Sequence, residues 1–327
     1  MKRTVTEVLR RGFDSTVANW PVIVLRIVES VVLAAIVIAS ILAAIIPAVV
    51  AAGLSKDDIV NSSDPSGAVI EWVISHLMLF AWIFVLGFVV LGVLIAIHSF
   101  VEGGSTQIYV DGERKAKRGP ASPATQPAPP AGQGSPAYLR DDFRAFTIDR
   151  WLAGGAASWW RIFWLYNLAW SVGLVFVLVP LTITIIGMLL ISDTVGRVVI
   201  GCAGVALAVL ILIPVSIVTS IWCTKAITIC VARALSARES LRLAWREFRA
   251  DLGRHLAVAL IMFVISMALS SLASGFSVPM SFTEHRIPTA ALMFAPIRIV
   301  IGVVQGAVGA AIGSCLLACF VSMTEER

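Results

Sequence analysis

Residues 236–255 read S-A-R-E-S-L-R-L-A-W-R-E-F-R-A-D-L-G-R-H and lie between two long apolar runs. The spacing predicts one short amphipathic helix. Ser236 and Glu239 fit a capping box, in which each side chain satisfies an orphan N–H at the helix start. Gly253 fits the stop, because glycine tolerates the left-handed conformation that ends many helices. Leu241, Trp245, Phe248 and Leu252 fall on one face, and Arg238, Arg242, Arg246, Arg249 and Glu247 occupy the rest. A basic amphipathic helix between apolar runs suits a membrane–water boundary.

Composition agrees. The 327 residues are 58% hydrophobic and 14% charged, whereas soluble domains carry about a quarter charged residues. Mean hydropathy is +0.92, and run after run is apolar on all sides over spanning length. The expected class is all-α, a polytopic membrane bundle of about six transmembrane helices. The net charge of +5 does not point to nucleic acid, because the cations flank the apolar runs, as orientation rules require. The five cysteines sit in or beside those runs and read as small packing residues. The N-terminus lacks the pattern of a secretory signal peptide, and the sequon at Asn61 is read as chance.

The opening theme recurs near the start. Thr4 and Glu7 again fit a capping box, and Val5, Leu9, Phe13, Val17 and Trp20 form an apolar stripe. With Thr4 aligned on Ser236, Glu7 falls on Glu239, Leu9 on Leu241, Arg10 on Arg242, Phe13 on Trp245 and Pro21 on Gly253. A third occurrence is expected from Tyr138 to Trp160. The chain therefore divides into three units, each an amphipathic helix followed by a helical hairpin. Residues 1–118 hold spans at about 22–50 and 69–98, with an exit helix that stops at Asp111-Gly112. Residues 138–235 hold spans at about 161–191 and 198–229. Residues 236–327 hold spans at about 256–276 and 297–321, with a semi-apolar piece, Ala290 to Phe294, on the outer surface. Residues 119–137 are rich in Pro, Ala and Gly and read as a disordered linker.

Lysine and arginine counts set the orientation. Cations crowd the segments before span one, between spans two and three, and between spans four and five. The opposite side has Lys56, Arg197, Arg286 and Arg298. Both termini are therefore expected in the cytoplasm, in a bacterial inner membrane.

No H-E-x-x-H, Walker A, G-x-S-x-G or metal-type Cys/His spacing occurs. No catalytic residue, cofactor or metal is expected, and His76, His98, His255 and His285 read as interfacial or packing residues. Charge inside a span usually has a reason. Glu102 and Lys225 sit at similar ends of spans two and four and are a candidate pair. Arg26 and Glu29, three apart, are a second. Arg238, Arg242, Arg246, Arg249, Arg10 and Arg11 are expected to contact anionic lipid headgroups. Ser266, Ser270 and Ser274, with Gly302, Gly306, Gly309 and Gly313, offer small-residue faces for close packing of spans five and six or for a homodimer seam. A polar conduit along the serines is the sharper alternative.

The order S-A-R-E-S-L-R-L-A-W-R-E-F after W-C-T-K-A-I-T-I-C-V-A-R-A-L, with I-Y-V-D-G-E-R-K after span two, resembles a group of bacterial six-span proteins. These are similar to the membrane domain of some bacterial glycerophosphodiester phosphodiesterases. The resemblance implies helical hairpins with interfacial helices and carries no catalysis. The expected role is non-enzymatic: membrane-organising, accessory or homeostatic. The alternatives are a transporter or permease subunit and, more weakly, an interfacial lipid-handling enzyme. Expected partners are inner-leaflet lipids and a membrane protein or second copy of the chain, with no nucleic acid.

Overall fold

The computed structural model describes residues 2–52, 74, 76–118, 140–191, 193–275 and 290–326. The linker at 119–137, the loop at 53–67 with Lys56, the start of span two at 69–73, His285 and Arg286 lie outside them. Among the described residues every regular element is helical. These are α1 (Val5–Ala18), α2 (Pro21–Ala52), α3 (Leu77–Arg118), a 3-10 turn (Arg140–Phe143), α4 (Ile148–Leu190), α5 (Thr194–Arg233), α6 (Ala237–Ala250), α7 (Leu252–Gly275) and α8 (Ala290–Glu325). Six of them, α2, α3, α4, α5, α7 and α8, are long and apolar enough to cross a membrane. Large side chains along them face outward, with Phe84 75% and Leu190 81% exposed. Such surface is stable only against acyl chains or a partner, so the chain is a multi-pass membrane protein.

The chain forms two compact units. One comprises Met1–Ile27 with Ser99–Arg327, and the other Val28–His98. The second is the apolar stretch of α2 and the first half of α3. Within it, Glu29 Oε1 lies 2.6 Å from His98 Nδ1.

In the first unit, α1 and α6 match position for position. Each has 14 residues. Thr4 and Ser236 cap them, each accepting from the backbone N–H three residues on. At α6 the Glu239 carboxylate also accepts from the Ser236 N–H, completing the box. Both helices break fifteen residues after the cap. Asn19 (φ −114°, ψ 37°) ends one and Asp251 (φ −135°, ψ 40°) ends the other. The break after α6 is thus at Asp251, and Gly253 lies in the first turn of α7. The N–H of Asn19 bonds the Ser15 carbonyl, and that of Asp251 bonds those of Glu247 and Phe248.

The middle occurrence is built differently. After the 3-10 turn, Thr147 caps α4, which runs unbroken through Trp159 and Trp160 to Leu190. The amphipathic stretch ahead of span three is therefore the first part of the spanning helix. Likewise α3 does not stop at Asp111-Gly112 but continues to Arg118. Gly112 serves packing: a Cβ there would lie 2.5 Å from the Phe143 carbonyl oxygen. The piece Ala290 to Phe294 is continuous with α8, which passes through Pro296.

Glycine pairs bring α3 and α4 together. A Cβ on Gly104 would sit 2.6 Å from the Trp151 carbonyl oxygen, and one on Gly155 would sit 2.9 Å from that of Phe100. Gly103 and Gly154 meet Ser158 and Gln107 at similar range. By contrast, a Cβ on Gly302, Gly306, Gly309 or Gly313 would meet nothing within 4 Å. Ser270 and Ser274 are exposed and Ser266 is half-buried. Among the described residues, α7 and α8 therefore do not pack through the glycine stripe; Gln305 donates to Ser274 Oγ at 3.4 Å.

Candidate functional site

The buried face of α6 holds Ala237, Leu241 and Ala244 against Ile162 and Leu165 of α4 and Cys223, Ala226, Ile227 and Cys230 of α5. Phe248 enters a second cluster with Val8 of α1, Val258 of α7 and Phe320 and Met323 of α8. The Trp222 indole N–H donates to the Leu241 carbonyl at 2.9 Å. Burial of this face fixes α6 on the bundle, and four buried carboxylates, one of them on α6, organise a charged layer within the unit.

Glu247, on the buried side of α6, lies 3.2 Å from Lys225 Nζ and 3.3 Å from Arg233. Lys225 also donates to Thr324 Oγ1 of α8 at 2.8 Å. Glu113 of α3 takes Arg3 at 2.6 Å and Arg11 at 2.9 Å. Glu102 of α3 pairs with Arg26 of α2. Glu326, just beyond α8, takes Arg254 at 2.8 Å. All four carboxylates are nearly inaccessible. Taking such charges out of water costs several kcal/mol each, so each must be neutralised where it stands.

The candidate pairs therefore exchange partners. Glu102 goes to Arg26 instead of Lys225, Lys225 to Glu247, and Glu29 to His98 instead of Arg26. Arg11 is corrected too. It does not point to headgroups; it is buried, bonded to Glu113, with its guanidinium 5.0 Å from the centre of the Phe143 ring. Arg10, one residue earlier, is exposed beside Asp14 at 4.0 Å. Arg238, Arg242, Arg246 and Arg249 are all exposed.

Two residues that sequence reasoning passed over complete the layer. Asn19, fully buried, donates to the Ser15 and Phe143 carbonyls and accepts from the N–H groups of Ala145 and Phe146, all within 3.0 Å. It ties the end of α1 to the segment leading into α4. Asp251, its counterpart, binds Lys2 at 2.5 Å and Arg254 at 3.7 Å. The signal was available: both stand fifteen residues after a cap, where a side chain that bonds backbone suits a helix break. The chain ends also meet, because Arg3 donates to Ser322 and its carbonyl accepts from Arg254.

His255 is buried between Phe248 and Phe320, with Nδ1 2.9 Å from the Asp251 carbonyl oxygen. Among the described residues no three His, Cys, Asp or Glu stand together as a metal site would require, and the cysteines are free thiols. Comparison with protein-family models, curated proteins and solved structures finds no match.

Proposed function

We propose that this chain is a non-enzymatic organising or accessory protein of a bacterial cytoplasmic membrane, with both termini in the cytoplasm. One observation carries the proposal. The buried carboxylates of the charged layer are neutralised by the chain's own lysines and arginines, which suits a framework that holds helices in place. A transport site or an interfacial hydrolase needs ionisable groups held open to a ligand. The cation distribution of the sequence supports the orientation, and the layout resemblance to six-span bacterial membrane domains supports the setting.

Lipid and metabolite profiling of a deletion strain, with in vivo crosslinking, tests it. The expected result is an altered membrane composition or permeability and a crosslinked membrane partner or second copy. Saturable solute uptake by the purified chain in proteoliposomes would replace this proposal with the transporter reading. The feature favouring that reading is the pair of prolines inside spans α4 and α5, Pro180 and Pro214.

A further inference from the structure

We propose that the outward face of α6 is a binding stripe for the phosphates of anionic phospholipids, and that its positional counterpart α1 is not. This rests on the membrane setting proposed above and names the partner.

Arg238, Arg242, Arg246 and Arg249 follow one another at steps of four, four and three residues, so they share one helix face. All four are exposed, and among the described residues none has an ion-pair or hydrogen-bond partner. The opposite face, with Ala237, Leu241, Ala244, Glu247 and Phe248, is buried. The stripe is therefore not cationic surface left over from internal pairing. The inward Glu247 has two cations of its own.

The position of the stripe selects the occupant. Trp245 lies at its margin, 39% exposed, edge-on to Trp222 with ring centres 5.5 Å apart. Trp222 belongs to the spanning helix α5, and the spanning helix α7 begins two residues after α6 ends. Trp160 and Trp164 of α4 are also exposed, and α4 packs against α6. Tryptophans mark the level where spanning helices leave the acyl region. The arginines thus border the headgroup layer of the membrane in which the chain is embedded. The guanidinium fork matches a phosphodiester in two parallel hydrogen bonds, and such a cation at an anionic surface strengthens binding about fivefold.

α1 shows what the stripe would look like if it served only the fold. It has the same length, cap and break, yet Arg11 is consumed by Glu113 and Arg10 lies beside Asp14. Its exposed ring, Phe13, takes the place of Trp245 without free arginines around it.

The test compares spin-labelled phosphatidylglycerol with spin-labelled phosphatidylcholine at the surface of the full chain reconstituted in phosphatidylcholine vesicles. The wild type should enrich phosphatidylglycerol severalfold in its motionally restricted shell, and high salt should reduce the excess. R238Q/R242Q/R246Q/R249Q should bring the ratio to unity while the melting temperature stays unchanged, since no internal bond is removed. R10Q should keep the wild-type ratio. The proposal is overturned if the quadruple variant retains the excess, or if R10Q abolishes it. It is also overturned if the arginines bind soluble polyglutamate while the lipid ratio is unity in the wild type, which would make the partner an acidic protein. The measurement uses purified protein alone, so its result stands whether or not a deletion strain shows a membrane defect.

Discussion

Lys225 and Glu247 face each other at 3.2 Å, with side chains 1% and 5% exposed. This pair joins the spanning helix α5 to the underside of α6. Glu247→Gln should destabilise the protein by about 3–5 kcal/mol, because it leaves a buried ammonium without its nearest counter-charge. K225M/E247L should recover most of that loss, since two apolar groups need no pairing. Thermal unfolding in detergent measures both. A double variant as unstable as the single one would show that the pair is not the source of the effect.

Arg26 is the partner of Glu102, so charge reversal has a defined rescue. Glu102→Lys alone should lower folded yield and melting temperature. R26E/E102K should restore part of both, whereas K225E/E102K should restore neither, because Lys225 belongs to Glu247. Size-exclusion profiles and melting curves of the three variants decide between these partners.

The glycines make opposite predictions in two places. Gly104→Ala forces a Cβ against the backbone of Trp151 and should cost about 1–3 kcal/mol through overpacking. Gly306→Leu meets open space among the described residues and should leave the melting temperature of the monomer unchanged. A large drop for Gly306→Leu would mean that its face is covered after all.

Asn19 fills its four hydrogen bonds with backbone. Asn19→Ala would leave the Phe143 carbonyl and the N–H groups of Ala145 and Phe146 without those bonds, at about 1–3 kcal/mol for each buried group that water cannot reach. Asn19→Asp replaces a donor with an acceptor opposite two carbonyls and should be no better. Hydrogen exchange at residues 143–146 should rise in both variants before global unfolding does. Unchanged protection there would remove Asn19 from this role.

The cap of α6 carries a pH signature. Hydrogen bonds from the Ser236 hydroxyl and N–H hold the Glu239 carboxyl below its usual range. A carboxylate whose pKa is depressed by folding stabilises fully above its unfolded value and loses that contribution as pH falls through the folded one. Exchange protection of the first turn of α6 should therefore be level from about pH 7 to about pH 5 and fall below about pH 4. Ser236→Ala should show weaker protection and a smaller fall, because the N–H bond to Glu239 remains; Glu239→Gln should remove the fall.

Much of the architecture is written locally in the sequence. Spanning length, the Ser236–Glu239 cap and the fifteen-residue spacing from Thr4 to Asn19 and from Ser236 to Asp251 depend on neighbours within one or two turns. Pairing does not. Arg10 and Arg11 are adjacent and chemically identical, yet a turn of about 100° per residue puts one outside and the other against Glu113. Which acid meets Lys225 depends on which helix lies across from it, and Glu102 and Glu247 are equally good candidates on paper. The glycine stripe of α8 fits a known packing pattern but lies open. The Gly103-Gly104 and Gly154-Gly155 pairs carry the close crossing, and two adjacent glycines inside a helix, each unfavourable there, were the available clue.

The stitching of Lys2 and Arg3 to α7 and α8 has a consequence for synthesis. Lys2 and Arg3 are made hundreds of residues before Asp251, Arg254 and Ser322. Until the last span is inserted, Arg3 lacks Ser322, and Glu113 must wait with whatever portion of α1 has docked. Closure of the layer thus reports that the chain has been made and inserted as far as α8. A chain that stops short of α8 leaves Arg3 without Ser322 and Arg254 without Glu326, a mark by which a quality-control protease can tell an unclosed layer from a closed one.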